Sequence, residues 1–396
     1  LNLNTIRNLG LWRMIKIGVS YLRSAAFPIK PEKDLESFFI NRFGRELYQT
    51  FFKDYTEKVW GVKCTDITPD WGRQRIKGLS ITKALMHALR SIFGKRKANL
   101  GQKGVETSLI ERFMYPKYGP GQMWDLVAKR VGENGGEVRT FQKVLSLQLD
   151  QGKVLRAKVQ DTESGESYEI QADYFISTMP VKELIHGLMG ISLSEDVKEV
   201  ADGLLYRDFI TVGLLLDKLK IKETSNPQDL IADNWIYIQE RDVKVGRLQI
   251  FNNWSPYMVS DPSKVWIGME YFCNEGDELW SMDDETFARF AVKELASIDI
   301  IEEDSLIDHV VIRMPKTYPG YFGTYDRFSI LRELLDPIEN LFLVGRNGMH
   351  RYNNQDHSML TAIAAVENIA KGHTDKANIW DVNTEQEYHE DKEASQ

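Results

Sequence analysis

Cysteine is nearly missing from this chain: Cys64 and Cys273 are the only two in 396 residues, and they lie far apart. Two such thiols build neither a disulfide framework nor the closely spaced pairs of a zinc site, so no metal centre is expected and a reducing, cytoplasmic setting is. No apolar run approaches the ~18 residues of a membrane span. The opening Leu1-Asn2-Leu3-Asn4 lacks the charged start and apolar core of a signal peptide. Surplus positive charge is absent too. The 50 Lys and Arg are outnumbered by 58 Asp and Glu, for a formal net charge of −8, and no basic run dominates, so nucleic acid is not an expected partner. No repeat of fixed period is found. What remains is an ordinary globular composition, 42% hydrophobic and 27% charged, with 9 Trp, 16 Tyr and 18 Phe available for stacking. At ~150 residues per domain the chain is long enough for more than one lobe.

Hydrophobic spacing divides the chain. From Asp34 to Trp60 the positions of Leu35, Phe38, Phe39, Phe43, Leu47, Phe51 and Phe52 are helical, with Asp34 as N-cap and Gly44 as a break, which predicts two short helices. A further helix is expected from about Asp70 to Phe93, then an exposed basic connector around Lys95 to Gly104. Met123, Trp124, Leu126, Val127 and Val131 predict a helix ending at Gly135-Gly136, followed by a strand at Glu137 to Thr140. Alternation then takes over: 144–149, 154–160 and 168–172 read as an antiparallel meander turning at Gln151-Gly152 and Glu163-Ser164-Gly165. Strands follow at 173–179, 209–216, 235–239, 247–252 and 265–272, with a helix near 284–296. Near the end, Asn340 to Gly345 is a buried-type strand, His357 to Lys371 a packed helix stopped at Gly372, and His373 to Gln396 a polar tail. The expected divisions are 1–105 (helical), 106–180, 181–339 (mixed sheet), 340–372 and 373–396.

Three segments could carry chemistry. Gly345 to Ser358 packs glycine, two arginines and many amides between a buried strand and a helix start. A helix N-terminus offers unpaired N–H groups and partial positive charge to a phosphate or an anionic heteroaromatic edge, although the same Asn and Asp residues could instead cap the helix. Asn234 to Tyr237 with Gly246 to Tyr257 places Arg247, Gln249 and Phe251 on one face of a strand, where Arg247 could point into a cleft or make a surface salt bridge. Tyr55 to Gly61 with Trp71, Gln74 and Arg75 reads either as a binding surface or as aromatic core with exposed charges.

Taken in order, these segments together with Met114-Tyr115-Pro116-Lys117-Tyr118-Gly119-Pro120-Gly121 and Tyr318-Pro319 resemble the UDP-galactopyranose mutases, especially the eukaryotic type, and more broadly the flavin amine oxidase and protoporphyrinogen oxidase superfamily. The resemblance runs from about Glu36 to Lys371. Its most specific parts are Trp235 to Tyr257 and Gly345 to Ser358. It implies a mixed α/β fold, with an FAD-binding Rossmann-like lobe and a substrate lobe of helices and antiparallel sheet, interleaved in sequence. It implies an enzyme that interconverts pyranose and furanose rings of a UDP-linked sugar with reduced flavin as nucleophile and no net redox. By the matching segments, Arg247 and Arg346 would be catalytic, clamping the departing diphosphate, with Arg75 nearby. Trp60, Trp235, Tyr237, Tyr318 and Tyr352 would contact the substrate. Gly121, Gly345, Arg346, Asn354, Gln355, Asp356, His357 and Ser358 would contact FAD. An oxidoreductase on the same fold, acting on an amine or ring substrate, is the alternative. One departure stands out: the G-x-G-x-x-G turn that holds the ADP half of FAD in such families occurs nowhere in the chain. With Leu1 opening the sequence, the resemblance implies that about a hundred residues of the FAD lobe precede it, and it leaves FAD binding by this chain alone in doubt.

Overall fold

Helices dominate the start of the computed structural model, which describes residues 10–75, 114–221 and 230–382. Leu11–Ala26 is followed by Leu35–Phe43, Arg45–Phe51 and Lys53–Trp60. The second of these opens on a capping box: Asp34 accepts from the Ser37 N–H at 2.7 Å, and Ser37 Oγ accepts from the Asp34 N–H. Three helices replace the two expected because Phe52 interrupts the run with φ −114 and ψ −43. Gly44 is required at its break. Its φ is 80, and a Cβ there would lie 2.7 Å from the Tyr21 amide nitrogen. Phe39, Phe43 and Phe52 stack at centroid distances of 4.8 and 4.9 Å, and each such buried ring contributes about 1.5–3 kcal/mol. A helix over Pro69–Arg75 begins as expected; its expected continuation and the basic connector lie outside the described residues.

The described residues divide into two units, one taking 10–75, 114–122, 209–221 and 230–313 and the other 123–208 and 314–382. Two of the boundaries lie inside the long strands Leu204–Leu216 and Leu306–Gly323.

In the first unit, a five-stranded sheet has the order Leu306–Gly323, Leu204–Leu216, Val265–Cys273, Arg247–Ile250, Trp235–Tyr237. The last three are antiparallel, with Arg247 directly opposite Glu270 on one side and Tyr237 on the other. Behind the sheet, Met269 and Tyr271 join Phe287, Ala291 and Leu295 of the helix Asp284–Ser297 in one core. Asp283 caps that helix by accepting from the Thr286 N–H. The expected strand through Asn252 ends at Ile250, where Phe251–Trp254 turns into a short helix.

In the second unit, the meander Gln142–Asp150, Lys153–Asp161, Ser167–Gln171 forms as expected, with Leu188–Met189 added in parallel beside the first strand. Gln151 and Gly152 both have positive φ, 45 and 79, the conformation a two-residue hairpin turn demands. The apolar face of the meander packs on helices Val181–His186, Glu195–Asp202 and Ser329–Leu335. Phe175–Ser177 pairs in parallel with Leu341–Leu343. Asn340 secures that pair, its buried amide bridging Val154 N–H, Val154 C=O and Asp173 C=O.

Two local expectations are corrected. Residues 137–140 are irregular, with Val138 mainly exposed, because no described strand lies alongside to accept them. The stretch expected as a tail from His373 instead folds into Ala377–Asp381. Ile379 and Trp380 are buried there, and the Trp380 indole donates to Asp336 at 3.0 Å. Two apolar residues suffice to dock a short terminal helix when its polar edge is also tied down.

Candidate active site

The segment after the buried strand Leu341–Leu343 is shaped by its glycines. Gly345 has φ +75 and donates its N–H to Thr361 Oγ1 at 3.0 Å. Gly348 sits so close to the neighbouring strand that a Cβ would come within 2.5 Å of the Ser177 carbonyl oxygen. Gly348→Ala should therefore destabilise the unit by about 1–3 kcal/mol in thermal melts. Gly121→Ala should stay within about 1 kcal/mol, since a Cβ at Gly121 meets nothing within 4 Å.

Beyond these glycines runs the helix Gln355–Lys371. Asn354 stands at the N-cap position, extended and without a side-chain capping bond, while the Asp356 carboxylate accepts from backbone N–H groups of the first turn, so the capping alternative holds for Asp356. Asp356 and Ser358 lie in the first turns, partly buried. Asn353, buried, accepts from Ser358 Oγ at 2.9 Å. The contact with His357 holds the Asp356 carboxyl below the usual carboxylate range. A 17-residue helix reached through two glycines that hold the backbone close can turn the remaining N–H groups of its first turn to the anionic pyrimidine edge of a flavin. Gly345 and residues 354–358 would hold it.

Arg346 leaves this loop sideways. Its guanidinium donates through Nε and Nη2 to the Asn353 carbonyl, at 3.2 and 2.6 Å, and through Nη1 to the Thr317 carbonyl at 3.1 Å. Asn347 adds a bond to the Lys316 carbonyl, so the loop is pinned to the strand Leu306–Gly323 at a residue, Lys316, that itself has φ 53. Tyr318 and Tyr352 stack at 5.6 Å and 13°, and the guanidinium carbon lies 5.5 and 4.7 Å from their rings. Among the described residues no carboxylate lies within ion-pair distance of Arg346. Three expected residues from distant parts of the sequence are thus brought together: Arg346, Tyr318 and Tyr352.

Arg247 has different surroundings. It is 7% exposed and pairs with Glu270, itself 3% exposed, the residue facing it across the strands. Its guanidinium carbon lies 5.0 Å from the Phe272 ring, 5.1 Å from Trp235 and 5.9 Å from Phe209. Burial pushes the Glu270 carboxyl above the usual carboxylate range, against the pull of Arg247 and Gln249. Outside this cage, Trp235 and Tyr237 stack at 6.4 Å on the edge strand with their rings partly open to solvent, and Tyr55 meets Tyr237 edge-on at 4.8 Å. Trp60 needs correction as a substrate contact. At 3% exposure it packs against Trp71 at 88°, the core alternative its segment left open. Arg75 ends the helix Pro69–Arg75, and its side chain lies outside the described residues.

Sequence reasoning missed Glu270, the lone acid in the apolar strand Val265–Cys273, although that isolation was a readable signal. It also missed His350. Wholly buried, the ring contacts Tyr206, Tyr325 and Phe328, and burial pushes its pKa down to about 4. The carbonyls of Asn353 and Thr317 that hold Arg346 carry no sequence signal.

A mixed α/β fold with a glycine-shaped loop feeding a long helix N-terminus fits a flavin-dependent enzyme, and the family match makes it one, with FAD the fitting cofactor. The chain belongs to the family of flavin containing amine oxidoreductases, whose model matches residues 27–369. Among solved structures it is similar to a reduced UDP-galactopyranose mutase, with a TM-score of 0.69 and 18% identity over 93% of this chain and 74% of that one. It is also similar to a putative protoporphyrinogen oxidase from Exiguobacterium sp. 255-15, with a TM-score of 0.58 and 16% identity over 92% and 75%. At these identities the likeness is one of fold.

Proposed function

We propose that this enzyme acts on a nucleotide-linked sugar, interconverting its pyranose and furanose forms. The observation that carries the reading is Arg346: a guanidinium fixed by backbone carbonyls between two tyrosine rings, with its charge unbalanced by any described carboxylate. A cation held in place but not neutralised is suited to an anionic group that arrives with the substrate, and a diphosphate matches the fork of an arginine. Tyr318 and Tyr352 would line that position with hydroxyl donors. Bound and reduced, the flavin supplies the electron pair for covalent chemistry at a sugar carbon. Arg346 would oppose the charge that develops as the diphosphate leaves. The ADP half of FAD is assigned in this reading to a segment outside residues 1–396, because the sequence has no G-x-G-x-x-G turn.

Calorimetric titration of UDP into flavin-loaded protein tests the substrate class. Arg346→Ala should weaken binding roughly tenfold or more, the equivalent of losing charge-assisted bonds of ~1.5–3 kcal/mol. Arg346→Lys should recover only part, since an ammonium cannot bridge two phosphate oxygens as a fork does. Equal UDP affinity in all three proteins would remove the diphosphate assignment.

One observation favours an oxidoreductase instead. Because Glu270 cancels Arg247, the wall formed by Phe209, Trp235 and Phe272 is aromatic and without net charge, which suits a neutral amine or ring substrate. Substrate-dependent bleaching of oxidised flavin would support that reading.

A further inference from the structure

The helix Leu11–Ala26 is apolar on two sides. The side packed on the following helices carries Met14, Ile17, Ser20, Tyr21 and Ser24, none of them exposed, with Ser20 Oγ accepting the Glu46 N–H at 3.0 Å, which is the inward stripe of an ordinary surface helix. The opposite side holds Trp12, Ile15, Val19 and Leu22, spaced three, four and three residues apart, with Leu11 alongside. Leu11, Trp12, Val19 and Leu22 are 62–71% exposed, and Phe27 just beyond the helix is 79% exposed. Lys16 and Arg23 follow Trp12 and Val19 by one turn and rim the stripe on one side. Lys16 Nζ lies 5.8 Å from the Trp12 ring. From Gly10 to Pro31 there are four cations, Arg13, Lys16, Arg23 and Lys30, and no carboxylate, in a chain whose net charge is −8.

We propose that this face docks on an anionic lipid bilayer surface, lying in the interface without crossing it. An apolar stripe containing Trp, rimmed by Lys and Arg, is the composition that seats a helix at the boundary of headgroups and acyl chains. Among the described residues no helix is long and apolar enough to span a membrane. Charge selects the lipid surface over a second copy of the chain: two such helices placed stripe to stripe would bring Lys16 and Arg23 beside their own kind with no carboxylate to offset them, whereas anionic headgroups neutralise both. The inference is independent of the substrate, because the helix belongs to neither the Arg346 loop nor the Arg247 cage.

The test is sedimentation of the full chain with vesicles of phosphatidylcholine alone and of phosphatidylcholine with roughly 30% phosphatidylserine. Wild type should partition onto the anionic vesicles, less so as salt rises, and bind the neutral ones weakly. Trp12→Glu with Leu22→Glu should abolish partitioning. Lys16→Glu with Arg23→Glu should lower it at least about 25-fold, at roughly fivefold per charge. All four side chains are exposed, so melting temperatures near that of wild type would show both variants folded. Wild type that sediments with neither vesicle would overturn the proposal. So would a dimer in light scattering that Trp12→Glu with Leu22→Glu dissociates while vesicle binding is absent, which would assign the stripe to a second copy.

Discussion

Glu270→Ala is expected to destabilise the protein by about 3–5 kcal/mol, because it strands the buried Arg247 guanidinium without its counter-charge. The surrounding Phe209, Trp235 and Phe272 rings offer cation–π attraction worth only about 0.5–2 kcal/mol. The cost should vanish when both charges go. Arg247→Met combined with Glu270→Leu, volume-matched and apolar, should return most of the stability in denaturant melts, since replacing a buried pair by hydrophobic residues is often neutral or better. A Glu270→Ala protein within 1 kcal/mol of wild type would mean that Arg247 is hydrated, and therefore open to an anionic ligand. The same experiment thus decides whether Arg247 carries net charge into catalysis.

The meander and the final strand, loop and helix were legible in the sequence because local rules fix them. Gln151-Gly152 demands a turn with positive φ, Asp34 and Ser37 form a capping box, and Gly372 closes the helix Gln355–Lys371 in the left-handed region with φ 68. The strand Leu306–Gly323 was not legible, since Pro315, Pro319 and Gly320 interrupt the alternation that its tertiary neighbours nonetheless impose. At the site, the stacking of Tyr318 and Tyr352 beside Arg346 follows from segments about 30 residues apart, and only the resemblance pointed to it. Glu270 was hidden for a different reason. A carboxylate in a strand reads as solvent-facing until its partner across the sheet is known, and register is set by the fold. Trp60 misled through the same ambiguity, since an aromatic on a helix serves core and ligand equally well in one dimension.

The second large effect concerns redox state. If the flavin would supply an electron pair to a sugar carbon, the oxidised enzyme should be inactive on UDP-galactose and UDP-galactofuranose, and reduction should switch activity on without consuming the reductant, because ring interconversion involves no net redox. An oxidoreductase has the opposite dependence: it begins from oxidised flavin and consumes one acceptor per turnover. The expected contrast is absence of turnover against sustained turnover, larger than the effect of any single substitution above. The direct measurement is anaerobic, on protein loaded with FAD and supplied with just enough dithionite to reduce it once. Product formed per flavin is then counted by chromatography of the UDP-sugars. The account predicts many interconverted sugars per flavin, with the flavin still reduced at the end. No conversion of either UDP-hexose by the reduced protein, together with bleaching of the oxidised flavin by an amine or ring substrate, would contradict it.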